Sequence, residues 1–312
     1  MTIPRELAFC ESYARECFSG EGRMVDLGCW YGATTFSLAR GLTRNRRAKS
    51  SRLIEAFDLF VWRNAMDAVA DKIKMPRTYR DGESFYDDVL RLLEPYKEVV
   101  RLHQQDLLQY KPTESPVEFL FIDAMKSWPL AKKIVTDFFP LLIPGKSIVV
   151  QQDFILHDPI AATNHLLMWR LRDHFEWLHQ IPRSGSVAFV CKKQISANEL
   201  PDLGPELSTR EEIDQAYDYS RACVPEEESR AHIEATKLLF LIERGYFEAA
   251  RKHARGLVEN RTKFREHVLA DALRVIDQAK KAMARANGSP NEPESGNQLE
   301  TLTKITALLA SL

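Results

Sequence analysis

Five aspartates stand where a turn after a short apolar run would leave a carboxylate free to act: Asp26, Asp58, Asp106, Asp123 and Asp153. Lys126 follows Asp123 by three residues, and His157 follows Asp153 by four. Carboxylates and an imidazole in such places can take a proton from a hydroxyl, and histidine, with an ordinary pKa of about 6.5, suits that task at neutral pH. The lysine could bind an acidic acceptor or lower a hydroxyl pKa; it could equally be a surface ion-pair partner. A second device lies in "MVDLGCWYGATTFSLARGL", Met24 to Leu42. There an apolar run ends in Asp26, then Gly28, Gly32, Thr34 and Thr35 precede an amphipathic stretch. A strand, a glycine turn and a helix start would bring unpaired backbone N–H groups close to a nucleotide.

Spacing narrows the choice of nucleotide. A phosphate loop needs Gly-Lys-Ser/Thr after its glycines, and none follows here. A dinucleotide fingerprint needs Gly-x-Gly-x-x-Gly, but Gly28 is followed by Cys29 and the bulky Trp30, which disfavours close approach of a pyrophosphate. What is left is Asp-x-Gly-x-x-x-Gly-x-Thr, with Asp26, Gly28, Gly32 and Thr34.

The elements that must position these residues alternate. A helix is expected over Pro4–Phe18, with a strand at Arg23–Leu27 and a helix at Thr34–Leu42. Strands follow at Arg52–Phe57, Glu98–Leu102, Val117–Ile122 and Lys146–Val150, separated by helices at Asp81–Leu93 and Leu130–Leu142. A helix at Pro159–Phe175 then leads to two strands, Glu176–Gln180 and Ser186–Cys191, joined hairpin-fashion by "IPRSG". This is the pattern of an α/β, doubly wound, Rossmann-like sheet with an antiparallel C-terminal hairpin. Its strands are apolar without alternation, as in a sheet covered on both faces.

The expected domains are residues 1–195 for that sheet, a helical extension at 196–285, and a linker with a short C-terminal helix at 286–312. Within the extension, the helical pair around Gly245 looks like one tetratricopeptide unit, a weak signal when it stands alone. "ANGSPNEPESGNQ", Ala286–Gln298, reads as disordered.

Composition excludes some classes. The chain has 312 residues, 45% of them hydrophobic and 28% charged, with a formal net charge of −1. Bulk electrostatics therefore favours neither nucleic acid nor an anionic membrane. The five cysteines, at 10, 17, 29, 191 and 223, form no Cys-x-x-Cys pair, which argues against zinc and for a reducing, cytoplasmic setting. The spacing of His165, His174 and His179 makes no zinc site either. The N-terminus carries acids and no long apolar core, unlike a signal peptide.

"VDLGCWYGATT" resembles the first motif of class I S-adenosylmethionine-dependent methyltransferases, and the likeness runs from about Leu7 to Lys193. The resemblance implies that Asp26, Gly28, Trp30, Gly32, Thr34 and Thr35 form the cofactor loop. It also implies that Asp58 accepts hydrogen bonds from the ribose hydroxyls, with Glu55 as the alternative. Asp106 would contact the adenine amino group, and Asp123 would stand at the ligand edge. "FIDAMKSW", "LLIPGKSIVV" and "QQDF" are most similar to the macrocin-type small-molecule and sugar O-methyltransferases. That subgroup commonly holds magnesium on acids after the fourth and fifth strands. Here the acids are fewer: Asp123 is followed by Ala124 and Met125, and Asp153 is preceded by Gln152. A divalent site would be reduced to Asp123, Asp153 and Gln152, so no residue is assigned to a metal and dependence on magnesium stays open. Catalysis would then fall to Asp123, Asp153, His157 and Lys126, with Trp30 and Trp128 lining an apolar pocket.

The expected function is methylation of a small-molecule or glycosyl acceptor. The helical extension is expected to cover the acceptor or mediate a homodimer. The alternative is a non-catalytic binding or scaffold protein acting through that extension.

Overall fold

The computed structural model describes residues 2–259, apart from 48–52, 76, 112 and 156–158. His157 and everything expected beyond residue 259 lie outside the described residues. The chain divides into two compact units. The first is Met1–Asp153 with Leu171–Leu203; the second is Phe154–Arg170 with the described residues from Gly204 onward. The sequence reading put the boundary at residue 195 and kept 154–170 with the sheet.

The first unit opens with α1 (Pro4–Ser12), which widens into a π-helical turn over Tyr13–Cys17. Then come β1 (Arg23–Leu27), α2 (Ala33–Leu42), β2 (Ile54–Asp58), α3 (Asp67–Ile73), α4 (Tyr86–Leu93) and β3 (Val100–Gln104). β4 (Val117–Ile122), α5 (Trp128–Phe138) and β5 (Ile148–Gln151) complete the parallel part. After α6 (Ala162–Arg170), which belongs to the second unit, the chain returns as β6 (Phe175–Gln180) and β7 (Val187–Cys191). The seven strands lie in the order β3-β2-β1-β4-β5-β7-β6, with β7 antiparallel to both of its neighbours. The strands at the centre, β1 and β4, are buried at every residue, whereas the edge strands β3 and β6 bury only one and two of theirs. Cover on both faces thus exists only where the apolar runs are unbroken.

Register is what positions the site. Leu27 pairs with Phe57 on one side and Ile122 on the other, and Ile122 pairs with Gln151. The residues next in sequence, Asp58, Gly28, Asp123 and Gln152, therefore form one row along the carboxyl ends of the strands. The parallel ladder runs on through this row. The Gly28 N–H donates to Phe57 O (2.9 Å), the Asp123 N–H to Leu27 O (2.8 Å) and the Gln152 N–H to Ile122 O (3.1 Å).

The second unit is helical: α6 (Ala162–Arg170), α7 (Arg210–Ala222), α8 (Glu227–Glu243) and α9 (Phe247–Glu259). α6 is buried along its whole length from Ala162 to Met168. Its last residue, Arg170, grips Glu212 of α7 through Nε (2.7 Å) and Nη2 (3.1 Å). This packing explains why 154–170 fold with the helices rather than with the sheet. No helix among the described residues is long and apolar enough to cross a membrane.

Candidate active site

The glycine loop leaves β1 at Asp26 and Leu27 and enters α2 at Ala33. Gly28 has φ +84° and Gly32, the residue capping α2, has φ +79°, both in the region L side chains rarely adopt. A Cβ on Gly28 would lie 3.0 Å from the backbone carbon and oxygen of Asp123. Close approach at Gly28 is thus to the neighbouring strand end, where the sequence had suggested approach to a ligand. At Gly32 a Cβ would press on Val89 Cγ1 at 3.1 Å. Between the two glycines, Trp30 itself adopts φ +45°. Its N–H donates to Asp58 Oδ2 (2.9 Å), and the Phe60 N–H donates to Asp58 Oδ1 (2.8 Å). Asp58 closes β2 and ties two loops together. Glu55, the alternative, sits near the opposite end of β2 in an ion pair with Arg23.

Asp26 is fully buried and accepts one strong hydrogen bond, from Thr35 Oγ1 at 2.6 Å. Its Oδ1 has no partner, and neither does the buried Trp30 Nε1. Burial pushes the Asp26 carboxyl up to about 7; Thr35 opposes this, and the charges of Asp123 and Asp58 add to it. Burial also raises Asp58, against the N–H groups of Phe60 and Trp30. Thr34 is buried and meets Thr2 hydroxyl to hydroxyl (3.3 Å). Asp106 caps its own turn, accepting from the Leu108 N–H (2.9 Å).

The ends of β4 and β5 hold the second cluster. Lys126 Nζ donates to Asp123 Oδ1 (2.7 Å) and to Asp153 Oδ2. The Gln152 amide is satisfied with its nitrogen turned inward, where it donates to Asp123 Oδ1 (2.7 Å) and Asp153 Oδ1 (2.9 Å). Burial pushes Asp123 up to about 6, with Lys126 opposing and Asp153 reinforcing the shift. Burial alone would lower the Lys126 ammonium, but the two carboxylates more than offset it and hold its pKa above the usual lysine value. Trp128 starts α5 just beyond, after Ser127, whose hydroxyl accepts from the Leu130 N–H.

The register and loop bonds therefore bring together Asp26, Gly28, Trp30, Asp58 and Asp123 on one side, and Asp123, Lys126, Gln152 and Asp153 on the other. Among the described residues no group of three or more His, Cys, Asp or Glu side chains is placed to hold a metal ion. His165, fully buried in the second unit, has no partner on either ring nitrogen, and burial pushes it down to about 3.

An aromatic wall stands beside the loop; the sequence reading named the Phe60–Tyr79 connection as a place for acceptor specificity but not the packing of its aromatic residues. Tyr31 stacks on Phe85 (6.0 Å) and shares a hydroxyl contact with Tyr79 (3.0 Å), which donates to Asp88 Oδ2 (2.8 Å). Trp62 stacks on Tyr79 at 4.9 Å and faces Trp30 at 6.5 Å. The signal was the aromatic density of the stretch between the second strand and the following helix, which periodicity does not register.

Residues 25–154 match the methyltransferase domain family. No curated protein matches the chain. Among solved structures, the calicheamicin methyltransferase CalS11 is 16% identical, with 59% of this chain covering 78% of that one at a TM-score of 0.44. A Clostridium thermocellum protein put forward as an rRNA methylase is 14% identical over 62% of this chain and 100% of its own, at 0.36. The pyocyanin biosynthetic protein PhzM is 13% identical over 59% of this chain and 54% of its own, at 0.35. The domain match thus spans the glycine loop, the row of strand-end acids and the Lys126 cluster, and residues 25–154 are similar to a methyltransferase domain.

Proposed function

We propose that the chain methylates an oxygen of a small hydroxylated acceptor, a glycosyl group being the favoured kind. The observation that carries this reading is the cluster of Asp123, Asp153, Lys126 and Gln152 at the ends of adjacent strands of the matched domain. S-adenosylmethionine, when bound, supplies an electrophilic methyl group on a sulfonium. The chain's residues suit that group. Asp26 Oδ1, an acceptor, and Trp30 Nε1, a donor, are buried without partners in the loop, and buried polar groups are nearly always paired. The acids of this edge also raise one another's pKa, so a cationic ligand relieves their repulsion.

Asp26, Gly28, Trp30, Gly32, Thr34 and Thr35 would form the loop against the cofactor. Asp58 would hold the ribose side and Asp106 the adenine side. Asp123, raised to about 6, is the carboxylate best matched to take an acceptor proton near neutral pH, with Asp153 beside it. The same acids disfavour a polyanionic acceptor such as nucleic acid.

Calorimetry with S-adenosylhomocysteine tests the cofactor reading. One site per wild-type chain is expected, weakened at least tenfold in Asp58→Ala. No binding to the wild type overturns it. Label from methyl-labelled S-adenosylmethionine should then appear as an ether on hydroxylated small molecules; label on nitrogen or carbon only would overturn the oxygen acceptor.

A further inference from the structure

The cluster at the ends of β4 and β5 contains two carboxylates, and a cation already lies between them. Lys126 Nζ bridges Asp123 Oδ1 and Asp153 Oδ2, while Gln152 turns its amide nitrogen to both acids. Magnesium needs near-octahedral oxygen ligands at about 2.0–2.1 Å. To admit it here, the ammonium would have to leave and the amide would have to rotate its oxygen inward. The residues present do not fit a divalent ion.

We infer that Lys126 is the resident cation of this site, standing where the resemblance to the macrocin-type enzymes implies a metal, and that it orients the acceptor oxygen. A lysine ammonium has three donors and no acceptor. Two are spent on Asp123 and Asp153, which fix its position, and the third is left for a ligand. Its side chain is half exposed (50%), whereas those of the two acids are 20% and 18% exposed. The carboxylates therefore anchor from within while the ammonium faces outward. A metal can chelate two neighbouring hydroxyls, but one remaining N–H can direct only one oxygen. The acceptor therefore needs only one hydroxyl at this site, on a glycosyl group or otherwise, and a vicinal diol is not required. Specificity for the rest of the acceptor then falls to surrounding side chains.

This inference rests on the methyltransferase reading, yet its test is separate. Manganese binding is measured by electron paramagnetic resonance on the full-length protein, for the wild type and Lys126→Met, with S-adenosylhomocysteine affinity measured on the same samples. The wild type is expected to bind no stoichiometric Mn²⁺. Lys126→Met, with its acid pair uncovered, is expected to bind one Mn²⁺ at least tenfold more tightly. One Mn²⁺ bound by the wild type and lost in Asp123→Asn overturns the inference, and so does equal Mn²⁺ binding by wild type and Lys126→Met. Unchanged S-adenosylhomocysteine affinity in Lys126→Met verifies an intact fold. Absence of that affinity in the wild type would sink the cofactor reading while leaving the Mn²⁺ comparison to decide this one.

Discussion

The two ends of the same parallel strands treat acids in opposite ways. At the amino ends, Glu118 of β4 is 1% exposed and takes hydrogen bonds from the N–H groups of Ser19 (2.6 Å), Gly20 (3.1 Å), Glu21 (3.1 Å) and Gly22 (3.3 Å), and from the Ser19 hydroxyl (3.0 Å). Glu55 is paired with Arg23. At the carboxyl ends, Asp26 Oδ1 has no partner, and Asp123 and Asp153 share one lysine and one amide. Both ends carry carboxylates largely withdrawn from solvent: Glu118, Glu55 and Asp26 are buried, and the Asp123 and Asp153 side chains are 20% and 18% exposed. A carboxylate that only holds the fold is saturated with donors, because an unpaired buried charge is costly. Acids left short of donors and cations are those whose missing partner arrives from outside.

The largest effect should come from breaking the saturated end. Glu118→Ala orphans four backbone donors and a hydroxyl. At about 1 kcal/mol or more for each unsatisfied group, a loss of about 5 kcal/mol is expected, read from urea unfolding. Affinity for S-adenosylhomocysteine in the protein that remains folded should stay near the wild-type value. A parallel loss of affinity would mean the two ends are not separable as structure and function.

Next comes the unsaturated end. The Asp26 carboxyl moves from 3.8 to about 7 on folding, so the folded state keeps a proton that the unfolded chain gives up. Stability from this group is complete below the unfolded pKa and is lost as pH rises through about 7. The full swing is on the order of 4 kcal/mol. Asp26→Asn cannot ionise and should flatten the fall in unfolding free energy between pH 4 and pH 8. Part of the slope will persist, because Asp123, raised to about 6, acts with the same sign. A wild-type profile that is already flat would show that Asp26 has a partner for its second oxygen.

Much of this was legible in the chain, and the gaps have identifiable causes. Val117–Ile122 was read to the residue, because an apolar run of β-formers admits few alternatives. The helix expected from Asp81 starts only at Tyr86. Ser84 is instead bridged to Val61, and Gly82 has φ +82°, neither of which periodicity can foresee. The site acids were visible as strand-end residues, but their row depends on register, which sequence does not number. Lys126 was noted beside Asp123; that it also reaches Asp153, 27 residues on, follows only from the β4–β5 pairing. The role of Gly28 changed most, since its need for a missing side chain arises from the end of β4, three connections further along the chain.

The smallest effect discriminates most finely. The Thr35 hydroxyl donates the side-chain hydrogen bond that Asp26 accepts, 2.6 Å from Oδ2. Thr35→Val removes it with little change in shape. With Asp26 protonated at pH 5, the loss is that of a neutral hydrogen bond, about 1 kcal/mol; at pH 8 the acceptor is charged and the loss should reach about 2 kcal/mol. Because Thr35 lowers the Asp26 pKa, the variant's stability should begin to recover on acidification at a higher pH than the wild type's. Unfolding free energies at pH 5 and pH 8 measure both effects. Equal penalties at the two pH values would mean that Asp26 does not change its ionisation between them. The contrast between the strand ends would then be one of geometry and not of charge, and the case for a cationic ligand at this edge would lose its electrostatic basis.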